Sequence, residues 1–280
     1  MADKKLQRIK MNIIRRIWKR KYELHKIFFR KLVRSYELKY QRSKVTDEEQ
    51  SSIYELVGLD RSAGVKKLVS ILENSSKSVF FEDDGMHSEH LAIIAAISES
   101  SHKIDSILEI GTFDGRAATI MAQLFPDATI TTIDLPNTDP NFTSTYHRDN
   151  NHFSFIKKRD DLLSKSKNIQ FLEMNSLGLV NLEDSFDLIW IDRAHGYPVV
   201  SMDVINSYRL CNQNGFVLID DVWIDPEESD QYYKSIGGFQ SLSSLKDANL
   251  IKDFTLFNKR LAGQYNTPWE KKFVGLFRKQ

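Results

Sequence analysis

The chain has 280 residues, 41% of them hydrophobic, and a formal net charge of +1, which is enough for one α/β domain with an appended segment and too little for two large domains. A single cysteine, Cys211, excludes an intrachain disulfide and fits a reducing compartment. No run of about 18 apolar residues occurs and no apolar secretion signal opens the chain, so a cytoplasmic protein without a membrane span is expected.

The near-neutral total hides an asymmetry. Residues 1–45 hold 16 of the 39 Lys and Arg and three acids, giving 16 − 3 = +13, while the remainder carries 23 bases and 35 acids, giving −12. This arm contains no Gly or Pro, and Leu6, Ile9, Ile13, Ile17, Leu24, Phe28, Leu32 and Tyr36 recur at helical spacing. A basic amphipathic helix over 1–45, with Trp18, Tyr22, Phe29 and Tyr40 as aromatic anchors, predicts contact with an anionic membrane surface. The alternative is a basic face packed on the body or on a second copy of the chain, as a homo-oligomer.

From Asp47 to Lys77 the pattern predicts two short helices punctuated by Gly58 and Gly64, and a further helix spans Ser88 to Ser98. Together, residues 46–100 are expected to form a helical cap over a pocket. The domain of residues 101–280 then alternates strand and helix. Strands are expected near 106–111, 128–134, 168–174, 186–192 and 215–220, followed by two more near 253–259 and 272–278, the last two separated by a link containing Gly263 and Pro268. That order predicts an α/β, Rossmann-like, seven-stranded and mostly parallel sheet with helices on both faces, which binds ligands at the carboxyl ends of its strands.

The most informative stretch is Ile107 to Gly115, I-L-E-I-G-T-F-D-G, an apolar strand that turns at Gly111 and enters a helix at Gly115. A second apolar run, Ala128 to Ile133, ends in Asp134, a carboxylate placed to accept ribose hydroxyls. The dinucleotide pattern G-x-G-x-x-G fails, because Phe113 and Arg116 occupy its second and third glycine positions. The pattern that remains, E-x-G-x-x-x-G with an acid closing the next strand, resembles the class I S-adenosylmethionine-dependent methyltransferases. Phe113 in place of the middle glycine is similar to the small-molecule O-methyltransferase branch. The resemblance implies cofactor contacts from Glu109, Gly111, Thr112, Phe113, Gly115, Asp134 and Asp192. It also implies adenine contacts from Asn175 and Ser176, which stand where relatives carry G-D-S.

Further chemistry falls at strand carboxyl ends. The fourth strand delivers Asp192, followed by Arg193, Ala194 and His195, and the fifth delivers Asp220 and Asp221. Adjacent strand ends lie about 4.8 Å apart, so three carboxylates are expected to converge, and a hard divalent ion such as Mg2+ would relieve their repulsion. I-D-R-A-H-G-Y followed by V-L-I-D-D resembles the metal-dependent O-methyltransferases, including the catechol type and the antibiotic- and sugar-tailoring relatives. The likeness covers residues 80–225 by motif and the rest by topology. It implies Asp192, Asp220 and Asp221 as metal ligands. His195 stands where catechol-type relatives have a catalytic lysine, and an imidazole with an ordinary pKa of about 6.5 suits a general base. The segment Leu135 to Asn168, with His147, Arg148 and His152, is longer than one connecting helix and reads either as a substrate lid or as an ordinary hydrophilic insertion.

These readings predict Mg2+-assisted methyl transfer from S-adenosylmethionine to a hydroxyl of a small molecule, sugar or glycolipid, with Asp192 and His195 catalytic. Two rivals are weighed against it. One is an RNA ribose methyltransferase that uses the basic arm. Amine methylation of nucleobases is disfavoured because Asp192-Arg193-Ala194-His195 replaces an N-P-P-Y-like loop, and nucleic acid is not the expected partner. The other is a non-catalytic membrane or assembly protein that retains the fold.

Overall fold

The computed structural model describes residues 45–74, 89–144, 151–224, 235–259, 261 and 272–280. The basic arm, the Gly263–Pro268 link, His147 and Arg148 lie outside these residues. Among the described residues no helix is long and apolar enough to cross a membrane.

Seven strands form one sheet: β1 (Ser106–Ile110), β2 (Thr129–Asp134), β3 (Ile169–Glu173), β4 (Phe186–Ile191), β5 (Cys211–Trp223), β6 (Phe254–Asn258) and β7 (Lys272–Arg278). Their order is β3-β2-β1-β4-β5-β7-β6. β1 to β5 pair in parallel, and β7 is antiparallel to both β5 and β6. The central strands β1 and β4 are buried along nearly their whole length, as parallel strands covered on both faces must be.

Three helices precede the sheet: α1 (Asp47–Leu56), α2 (Arg61–Asn74) and α3 (His90–Ser98). α1 starts with a capping box, in which Thr46 and Glu49 satisfy each other's backbone N–H, and three acids fill its first turn. Gly64 lies inside α2 rather than ending it. The described parts of these helices form a layer on the sheet. Tyr54, Leu68 and Ile93 bury against Ile107, Leu188, Trp190 and Phe216 on one sheet face, together with α4 (Arg116–Leu124). The start of α3 reaches the strand ends, where His90 stacks on Trp190 with ring centroids 4.6 Å apart. Two backbone ties bind this layer to the end of β6: the Gln50 side chain donates to Asn258 O at 3.0 Å, and Glu89 N donates to Lys259 O at 3.1 Å.

The other face carries α7 (Val199–Leu210) and α8 (Gly237–Asp247), packed through Val200, Val204, Leu242 and Leu245 on Ile110, Ile189, Ile191 and Ile219. The segment between β2 and β3 forms α5 (Pro140–Ser144) and α6 (His152–Leu163). Among the described residues α6 is packed in: Phe155 meets Phe113 at 5.6 Å between ring centroids, and Arg159 is buried with its guanidinium 4.2 Å from the Phe171 ring centroid. Burial of Phe142, Arg159 and Leu163 holds this part of the segment against the domain.

Candidate active site

At the end of β1 the chain reverses through Gly111 at φ 113°. The N–H groups of Gly111 and Thr112 both donate to Ile133 O, at 2.9 and 3.2 Å. A Cβ on Gly111 would lie 2.0 Å from the Asp192 carbonyl oxygen, so the turn is glycine both for its left-handed backbone and because the exit of β4 crosses it. Gly115, at φ 81°, opens α4. What lies over it is Leu163 of α6, 2.8 Å from an added Cβ, so this glycine serves helix packing.

Asp134 stands beside the turn. Its Oδ2 accepts from Phe113 N at 3.0 Å and its Oδ1 from Leu135 N at 2.8 Å, which fixes the carboxylate and leaves each oxygen a further lone pair for a hydroxyl. Glu109 is fully buried. One of its oxygens accepts from the Thr132 hydroxyl, which also pairs with Thr112 Oγ1 at 2.6 Å, while Oε1 has no hydrogen-bond partner. Burial pushes the Glu109 carboxyl well above the usual carboxylate range, and Asp192, Asp134 and Asp114 add to the rise against the Thr132 bond. A buried acid with an orphaned oxygen beside such a turn is suited to a positively charged or N–H-bearing ligand group.

At the end of β3, Asn175 caps the short 3-10 helix Ser176–Asn181 by accepting from Leu177 N at 3.1 Å. Arg193 reaches across from β4 and donates to Asn175 Oδ1 at 3.3 Å and to Ser176 Oγ. It thereby braces the exits of β3 and β4, a role its sequence position did not reveal. Asp203 of α7 is buried, and burial pushes its carboxyl up to about 6, offset only in part by Ser176 and Arg193.

The expected carboxylates do converge. Asp220 and Asp221 occupy a break in the β5–β7 register between Ile219 and Val222, with Asp221 in the left-handed region at φ 51°. A bulge at this point re-aims side chains that regular alternation would send to opposite faces. His195 Nε2 lies 3.7 Å from Asp192 Oδ1 and 3.9 Å from Asp221 Oδ2. The ligand atoms of Asp192, His195 and Asp220 lie within 4.8 Å of one another. Asp220 Oδ1 is buried with no hydrogen-bond partner.

The charge on this floor is not uncompensated, contrary to the expectation. Lys259 Nζ donates to Asp220 Oδ2 at 2.5 Å and to Asp221 Oδ1, and Lys272 Nζ donates to Asp221 Oδ2. Both oxygens of Asp221 therefore rest on ammonium groups, and Asp221 stands outside the close ligand set. The two lysines were missed because no motif marks them. Strand direction could have found them: β7 runs antiparallel to β5 and β6 antiparallel to β7, so the first residue of β7 and the end of β6 lie level with the carboxyl end of β5.

These contacts set the protonation states. Asp192 keeps about a third of its side chain open to the cleft, yet burial of its surroundings, then Asp220, pushes its carboxyl well above the usual range. Burial acts to raise Asp220 and Asp221 as well, but Lys259 outweighs it and holds both below the ordinary value. Burial lowers His195, with Asp221 and Asp220 opposing, so its imidazole is neutral at neutral pH.

A fold of this strand order with this site also has relatives. Residues 108–222 match the family described as a methyltransferase domain. Over that stretch the chain is similar to methyltransferase domains. It also has distant structural likenesses. An O-methyltransferase family protein from Burkholderia thailandensis is 15% identical, with a TM-score of 0.43 over 67% of this chain and 55% of that one, so the chain spans about half the length of that protein. A putative O-methyltransferase from Klebsiella pneumoniae is 16% identical, with a TM-score of 0.49 over 78% of this chain and 90% of that one. TomG from Streptomyces achromogenes, an O-methyltransferase involved in tomaymycin synthesis and solved with S-adenosylmethionine, is 16% identical, with a TM-score of 0.47 over 83% and 98%. No curated protein matches the chain.

Proposed function

We propose that this methyltransferase methylates a hydroxyl of a small molecule, sugar or glycolipid, with Mg2+ assistance. The observation that carries the reading is the contact between two sites. The Gly111 turn, where Asp134 accepts from Phe113 N, crosses the backbone of the same Asp192 whose side chain joins His195 and Asp220. A nucleoside held at the turn therefore has its neighbour in the acidic floor.

Bound S-adenosylmethionine supplies a methyl group on a sulfonium, which an oxygen nucleophile takes in line. The chain's residues suit this cofactor. Asp134 offers lone pairs to ribose hydroxyls, and the buried Glu109 Oε1, without a hydrogen-bond partner, is suited to a donor on the ligand. His195, held neutral by burial, accepts the hydroxyl proton, and the imidazolium so formed is stabilised by Asp192 and Asp221. Asp192 and Asp220 are the carboxylates open to a hard divalent ion, since Asp221 is occupied by its lysines. The unpartnered Asp220 Oδ1 supports that assignment. When bound there, Mg2+ would lower the pKa of the acceptor hydroxyl.

The basic arm of residues 1–45 supports an acceptor at an anionic surface, such as a glycolipid. Calorimetric titration with S-adenosylhomocysteine tests the cofactor site, and turnover in chelator, restored by MgCl2, tests the metal. Absence of any heat with the nucleoside would reject the reading.

A further inference from the structure

We propose that Lys259 is a resident counter-ion that competes with the divalent cation for Asp220 and so sets how tightly this methyltransferase holds its metal. The inference rests on the metal-assisted reading above.

The site folds three carboxylates onto two neighbouring strand ends, a costly arrangement unless the charges are paired. Lys259, itself buried, supplies one pairing charge to Asp220 and Asp221 together, and Lys272 supplies a second to Asp221 alone. Two ammonium groups thus already stand against these carboxyl groups, so much of the floor's charge is balanced within the protein. Asp220 is the shared group: Oδ2 lies on Lys259, while Oδ1 is unpartnered and belongs to the ligand set with Asp192 and His195. A divalent ion on Asp220 would therefore sit within one carboxylate of a fixed ammonium, and repulsion between them weakens binding.

Lys259 cannot withdraw as a whole. Its N–H donates to Lys272 O at 3.0 Å and its carbonyl accepts from Glu89 N at 3.1 Å, so only side-chain rotation can move the charge. The arrangement has two consequences. The floor stays assembled when no metal is bound, and metal affinity is lower than two carboxylates alone would give.

Lys272 provides an internal control, because it touches Asp221 and not Asp220. The test is calorimetric titration of the full chain with MgCl2, alongside thermal unfolding with and without MgCl2, for the wild type, Lys259→Met and Lys272→Met. Lys259→Met should bind Mg2+ about tenfold tighter or more, and Lys272→Met should stay within about threefold of wild type. Lys259→Met should also unfold at lower temperature without metal and recover in MgCl2, whereas wild type should change little. Should Lys259→Met fold only in MgCl2, that dependence supports the proposal, and Lys259→Arg, which keeps the charge, should fold without metal. Mg2+ affinity in Lys259→Met no higher than in wild type overturns the competition while leaving the metal reading intact. No Mg2+ binding to any of the three proteins, together with turnover unaffected by chelator, removes the metal reading and this inference with it.

Discussion

The glycine turn and the acidic floor touch at Asp192, yet they are built in opposite ways. The turn is local: Glu109, Gly111, Thr112, Phe113 and Gly115 lie within seven residues, and their partners Thr132, Ile133 and Asp134 are consecutive on the next strand. The floor is assembled from four strand ends, with Asp192 after β4, Asp220 and Asp221 on β5, Lys259 after β6 and Lys272 on β7. A local device writes its pattern into consecutive residues, whereas a distributed one can change partners without leaving a motif.

That contrast can be broken from either side, and the largest effect is expected at the turn. Gly111→Ala forces a Cβ onto the Asp192 carbonyl, so it should cost about 3 kcal/mol or more and abolish S-adenosylhomocysteine binding, as read by thermal unfolding and calorimetry. A variant that folds and binds normally would mean the two strand exits are not so closely crossed.

The next effect sharpens the role of the floor. His195→Gln should lower kcat by about 10²- to 10⁴-fold and leave nucleoside affinity unchanged. Since burial lowers the imidazole pKa, the acid limb of the wild-type kcat/KM profile should fall below the ordinary histidine value and should vanish in the variant. Retained turnover in His195→Gln would assign the proton to another group.

Asp192→Asn should weaken Mg2+ binding by at least about tenfold and should not destabilise the metal-free protein at pH 8. The sign follows from its raised carboxyl. Stability from such a group is full below the unfolded pKa, about 3.9, and is lost as pH rises through the folded value. The amide mimics the protonated form, so its advantage should grow with pH, and a variant less stable at pH 8 than at pH 4 relative to wild type would contradict the buried-acid description.

The smallest effect tests the brace between the two regions. Asp203, pushed up to about 6, should likewise lose stability as pH rises from about 4 toward its folded value, by up to about 2 to 3 kcal/mol. Asp203→Asn should flatten that part of the pH–stability curve, and an unchanged slope would locate the dependence elsewhere.

Much of the fold was legible, because strand periodicity and the glycine turn are short-range signals. The strands expected near 106–111, 128–134 and 272–278 appear at Ser106–Ile110, Thr129–Asp134 and Lys272–Arg278. β5 begins earlier than expected, at Cys211, because Asn214 adopts the left-handed region and lets a polar stretch that reads as a turn continue in the strand. The packing of α6 was hidden because Phe142 and Arg159 are buried by partners distant in sequence. In the site, the sequence brought forward the acids but not their counter-ions. Carboxylates at the ends of motif-bearing strands announce themselves, while Lys259 and Lys272 acquire meaning only through the antiparallel hairpin that returns them to the same level.

The hydrogen bond from Glu89 to the carbonyl of Lys259 has a consequence for how the molecule can be divided. The stretch that matches a methyltransferase domain, residues 108–222, contains all three acids and neither lysine, and the helix that steadies one of those lysines starts before it. A fragment trimmed to the shared stretch would carry its negative cluster bare. The flanks beyond the matched stretch are therefore working parts of the acidic floor rather than ornaments around a self-sufficient module.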